Sequence, residues 1–293
     1  MALRVDECLR PLEGIGLSAL SSWLNPCASV GRFEQAGDAM HRWEIRVFAG
    51  SDYISFADHF RCAHVSFGSD HDEHTGHVFS AYSYHIDHLD DPVAISNRIY
   101  SFELLVNGAR RLSAGGLEST MRIEFDGYHA VDGGEGRYKV VAIDEDPFDS
   151  PGPPPVGEVG QTRAFTAARY IDVAASDSTV RTLLFLAGII YNNSPKDVIL
   201  TWGTLYKLYD TYRHMAKELG AVLADFEDAP GETGRFTAAC NNMSVLGLGA
   251  RHGLSANQPP SNPMTGIDDA IETNLRIARK ISERYIEARH SAP

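Results

Sequence analysis

The chain has 293 residues, 43% of them hydrophobic, and a formal net charge of −13. That length suits about two ordinary domains, each with a core, and excludes a wholly disordered protein. The charge excludes nucleic-acid binding except through a local basic patch. Cys8, Cys27, Cys62 and Cys240 stand too far apart for a zinc ribbon or a redox pair and are too few for a disulfide scaffold, so a reducing, cytoplasmic setting is expected.

In chain order, the apolar stretch Ile15 to Leu24 predicts a buried early helix. Asp6, Glu7 and Glu13 precede it where a signal peptide would carry basic residues. No run approaches the roughly 18 to 20 apolar residues needed to span a bilayer, so no membrane partner is expected. Alternation over Trp43–Phe48, Tyr53–Phe56, Ala63–Phe67 and Val78–Tyr84 predicts half-buried antiparallel strands. The period then changes. Asp91-Pro92 opens a helix that carries Ile95, Ile99, Phe102, Leu105 and Val106 and stops at Asn107-Gly108. Alternation resumes in Met121–Phe125 and Arg137–Ile143, joined by Gly-rich turn residues that suit a hairpin.

Residues 1–145 are thus expected to form a mainly antiparallel β domain with one helix. The Pro- and Gly-rich run 146–160 lacks backbone donors and helix propensity and reads as a connector. Residues 161–293 are expected to form a helical bundle, which makes the chain α+β. There Thr162–Ala175 predicts a helix, and Asp177 caps a central one through Val180, Leu183, Leu184, Ile189 and Ile190. Ser194-Pro195 opens the longest, striped by Val198, Ile199, Trp202, Leu205, Tyr206, Tyr209 and Tyr212 and ending at Gly220. A shorter helix over Arg235–Val245 and a last, amphipathic one over Asp268–Ala288 complete the bundle.

Two local patterns could carry chemistry. Seven of the twelve histidines lie between His59 and His88 among acidic residues; His71, His74 and His77 recur every third residue, and His85 and His88 repeat that interval beyond a predicted strand. Imidazole and carboxylate are ligands for zinc, iron or manganese, so these five are the candidate metal ligands. The competing reading is a polar hairpin loop with histidines facing solvent. No Gly-rich phosphate loop, Gly-x-Ser-x-Gly elbow or paired-cysteine site occurs, and no cofactor is expected.

The second pattern is Leu246-Gly-Leu-Gly-Ala-Arg-His-Gly253, followed by Gln258-Pro-Pro-Ser-Asn-Pro263. Arg251 supplies a permanent planar cation for phosphate and His252 a group that exchanges protons near neutrality, a pair that could cleave a phosphodiester by acid-base catalysis. The competing reading is a structural turn in which Arg251 pairs with an acidic neighbour. Helices before a Gly-containing turn that ends in His-Gly, and one long helix after it, make residues 162–289 resemble the C-terminal helical domains of bacterial abortive-infection proteins, members of the HEPN class of ribonuclease-like and RNA-binding bundles. The resemblance implies Arg251 and His252 as catalytic residues, metal-independent action on RNA through a local basic patch, and a homodimer. In that class the Arg stands four to six residues before the His. Here Arg251 adjoins His252, and the earlier positions are Leu246, Gly247 and Leu248.

The expectation is a defence-related sensor-effector whose β domain recognises a protein partner and whose helical domain binds or cleaves RNA. A non-enzymatic interaction and oligomerisation protein and a His-rich metalloprotein are the alternatives.

Overall fold

Alternation in Trp43–Phe48 sends Ile45 and Val47 to one face, and this segment is β1, a central strand of a four-stranded antiparallel sheet. Its neighbours are β3 (Gly76–Tyr82) on one side and β4 (Glu124–Ala130) on the other, with β2 (Ser66–Asp72) outside β3. The computed structural model describes residues 41–48, 56–57, 60, 62–72, 76–113, 122–134, 136–148, 166–190, 195–253, 258 and 260–290. The expected helix at Ile15 to Leu24, nearly all of the expected strand Tyr53–Phe56 and most of the connector lie outside these residues.

A single turn, α1 (Tyr84–Asp87), leads into α2 (Pro92–Ser113), which runs on through Asn107 and Gly108. The expected stop at Asn-Gly fails because both residues have tertiary partners. The Asn107 amide donates to the backbone oxygens of Glu103 and Ile123 and accepts from the Ile123 N–H. Gly108 lies against the backbone of another helix. The side chains of α2 also replace a strand partner. Ser96 accepts the Lys139 N–H, Asn97 those of Val141 and Ala142, and Ser101 that of Asp144. The expected strand Arg137–Ile143 is therefore no strand, since these donors are satisfied by the helix on which the segment lies.

After the connector come α3 (Ala167–Ser176), α4 (Ser178–Ile189), α5 (Pro195–Glu218), α6 (Glu232–Cys240), the short α7 (Met243–Leu246) and α8 (Ile267–His290). The described residues belong to one compact unit, and the expected division into two domains does not divide the core. The reason is an antiparallel crossing of α2 and α4. A Cβ on Gly108 would lie 2.0 Å from the Leu184 carbonyl oxygen, and one on Gly188 2.0 Å from that of Leu104. Two glycines thus let the backbones meet across the expected boundary. The first residues of the connector are docked too. Asp146 pairs with Arg181 at 3.2 Å and Phe148 packs on Phe102, while just before the connector Arg98 donates to Asp144 at 2.7 Å. Tyr212 on α5 donates to Asn274 on α8. Among the described residues no helix is long and apolar enough to cross a membrane.

Asp177 ties three helices together, as the C-cap of α3 through its N–H to the Val173 carbonyl, as the N-cap of α4 through the N–H groups of Thr179 and Val180, and as the partner of His290 at the end of α8, at 3.0 Å. Burial pushes its carboxyl up, but the hydrogen bonds from Val180, His290 and Thr179 outweigh this and hold it below the ordinary value of 3.8. A depressed folded pKa gives stabilisation that is complete above the unfolded value and is lost as pH falls through the folded one. Asp177→Ala is expected to cost about 1 kcal/mol at pH 7. In urea melts the gap between wild type and variant should close below about pH 4.

Candidate functional site

The Gly-rich turn is shaped by the end of α6. Asn242 caps α7 by accepting from the Ser244 N–H at 3.0 Å, and its own amide donates to the Gln258 carbonyl at 3.1 Å. Gly247 takes a positive φ of 57°, and a Cβ on Gly249 would lie 3.1 Å from Trp202 Cδ1, so the turn passes close over the indole of α5. The Arg251 N–H then donates to the Cys240 carbonyl at 2.7 Å, which fixes where the arginine leaves the turn.

From there its guanidinium lies over the Tyr206 ring, with Cζ 4.4 Å from the centroid and Nη1 donating to the phenol oxygen at 2.6 Å. Arg251 thus has a tyrosine for a partner where an acidic neighbour was expected. It lines a groove of about 420 Å³ between α5 and the turn, together with Ile199, Gly203, Lys207 and Asp210 on α5 and Leu248 on the turn. Large aliphatic side chains stand in solvent around it: Leu248 is 76% exposed, Leu200 68% and Ile199 44%. His252 is exposed and does not line the groove. The two expected catalytic residues are adjacent in the chain, yet only Arg251 faces the groove. Catalysis by the pair requires both on one reacting phosphate.

The expected metal ligands that are described fall in two settings. His71 and His77 stand directly opposite each other in the β2–β3 ladder, and His74 lies outside the described residues. His85 is buried in α1 and His88 is exposed just after it. Among the described residues no group of three or more His, Cys, Asp or Glu side chains is placed to hold a metal ion.

The neighbour of His85 is instead His64, which the interval of three does not pick out. Nδ1 of His64 lies 3.0 Å from both Nε2 of His85 and the Tyr84 hydroxyl, while its Nε2 is 4.0 Å from Asp172 on α3. The Cys62 thiol donates to the same Asp172 carboxylate at 3.4 Å, and Phe148 sets its ring edge-on to both imidazoles. Burial, and then the Asp172 carboxylate, push the Cys62 thiol well above its ordinary range; burial lowers His64. Tyr84 is pushed up to about 12 by burial, Cys62 and Asp172. These groups are neutral at pH 7, and a thiol that keeps its proton is no nucleophile. The cluster is a hydrogen-bonded clasp that joins the loop before β2 and α1 to α3. Cys62 and His64 are near neighbours in sequence, but Asp172 stands 110 residues away across the connector, where no local signal could find it.

Comparison with known proteins found no matching family model, no matching curated protein and no matching solved structure.

Proposed function

We propose that the chain acts by binding, as a non-enzymatic interaction protein whose α5 groove takes up an apolar, acid-bearing segment of a protein partner. One observation carries this reading: the guanidinium of Arg251 is laid on Tyr206 in the lining of a groove with exposed aliphatic side chains, while His252 stands outside it. Aliphatic surface at a rim with fixed cations is what a protein segment recognises. The groove lining carries two cations, Lys207 and Arg251, and one carboxylate, Asp210, which pairs with Arg213 at 3.3 Å, so it is locally positive in a chain of net −13. The groove therefore favours a carboxylate-bearing partner.

Binding of RNA is the second reading, favoured by a cation stacked on an aromatic ring, Arg251 on Tyr206, with Lys207 in the same groove lining. Cleavage through Arg251 and His252 would be the function implied by the HEPN-like pattern of the sequence. Untagged protein incubated with total RNA in EDTA tests the proposal. The same RNA profile with and without protein is expected, and fragments that disappear with Arg251→Ala/His252→Ala would move the function to RNA.

A further inference from the structure

We infer that the occupant of the groove is an acidic amphipathic helix that crosses α5 at Gly203; the inference rests on the reading of the groove as a protein-binding site. A glycine inside a helix costs about 0.5 to 1 kcal/mol relative to alanine. Gly108 and Gly188 have a reason visible in the fold, because each sits where two helix backbones touch. Gly203 lies in the middle of α5, is exposed, and would have nothing within 4 Å of a Cβ among the described residues. It marks the same kind of close approach with its second helix missing.

The residues around Gly203 fit that role. On a helix, positions three and four away surround a given residue, and here these include Leu200, Ile199, Tyr206 and Lys207. The exposed aliphatic pair lies toward the start of α5 and the cation toward its end. Leu248 stands on the facing wall and Arg251 beside Tyr206. A helix laid here would set apolar residues at three- and four-residue spacing on Ile199, Leu200 and Leu248, and carboxylates against Lys207 and Arg251. An extended peptide has less to gain. The groove is bordered by α5 and a turn, with no strand edge to extend by hydrogen bonding.

The test is a displayed library of peptides of about 18 residues, five turns of helix, selected on the immobilised full chain and measured against Gly203→Leu, Arg251→Glu and Gly203→Ala, each first shown to be folded by circular dichroism. Selected peptides should carry acidic residues beside an apolar stripe of helical period and become helical on binding. They should bind about tenfold or more weaker to Gly203→Leu and to Arg251→Glu, and Gly203→Ala should weaken them least. Peptides that depend on Arg251 but bind Gly203→Leu as well as wild type, or that bind without becoming helical, would overturn the helix crossing and leave the binding reading in place. Peptides without acidic residues would overturn the charge assignment. If no selected peptide depends on either position, both readings fall.

Discussion

Gly188→Ala is expected to destabilise the protein by about 3 kcal/mol or more, the upper end for overpacking a core. The added methyl would lie 2.0 Å from the Leu104 carbonyl oxygen, and backbone cannot swing aside as a side chain can. Relief requires α2 and α4 to separate, which opens the contact that joins the sheet-bearing part of the chain to the bundle. Helix propensity alone gives the opposite sign, since alanine is favoured over glycine by about 1 kcal/mol in a helix interior. Gly203→Ala is the internal control, because among the described residues its methyl meets nothing within 4 Å. It should raise stability by about 0.5 to 1 kcal/mol. Urea unfolding of the two variants would show opposite shifts in midpoint. A neutral or stabilising Gly188→Ala would contradict the close crossing.

Asn107→Ala is expected to cost about 2 to 4 kcal/mol, because it leaves two buried backbone groups of Ile123 without their partners. The Asn107 amide donates to the Ile123 carbonyl at 2.7 Å and accepts from its N–H at 3.0 Å, and both residues are within 2% of full burial. Among the described residues the chain leading into β4 has no strand neighbour at Ile123, and α2 supplies the pairing. One turn earlier, Glu103 pairs with Arg122 and accepts the Phe125 N–H. Burial raises the Glu103 carboxyl above its ordinary value, against the hydrogen bond from Phe125 and the charge of Arg122. Asn107→Leu keeps the volume and removes the polar atoms. A loss as large as that of Asn107→Ala would assign the effect to the hydrogen bonds, whereas a near-neutral Asn107→Leu would assign it to the cavity.

The parts of the fold that are legible in the sequence are those set by local period. The stripe on α5, the Asp177 cap before α4 and the amphipathic face of α8 each depend on residues within a few turns of one another and are found where periodicity places them, except that Ile199 of the α5 stripe is exposed. Strands with a polar face, β1 and β3, are legible for the same reason. The misreadings come from partners distant in sequence. Arg137–Ile143 alternates like a strand, but its N–H groups at Lys139, Val141 and Ala142 go to Ser96 and Asn97. Asn107-Gly108 reads as a helix stop, but one residue binds Ile123 and the other meets Leu184. The connector reads as a boundary, although glycines on either side of it bring α2 and α4 into one core.

At the candidate site the sequence singles out the Gly-rich turn and Arg251, because glycines and a lone arginine stand out in an acidic chain. It does not reveal that Tyr206, which reads there as packing, receives the guanidinium 45 residues away. The histidine intervals likewise suggest ligands in a loop, whereas the contact between imidazoles that the fold makes is His64 with His85. Spacing in sequence is informative on a helix, where it fixes direction, and not across a hairpin and a loop.

The most direct measurement of whether the turn binds or cuts is RNA incubation in EDTA with wild type, Arg251→Ala and His252→Ala side by side. A binding groove predicts identical RNA profiles for all three, with His252→Ala indistinguishable from wild type in every respect. Metal-independent fragments made by wild type and lost in either single variant would contradict it and make Arg251 and His252 an active site.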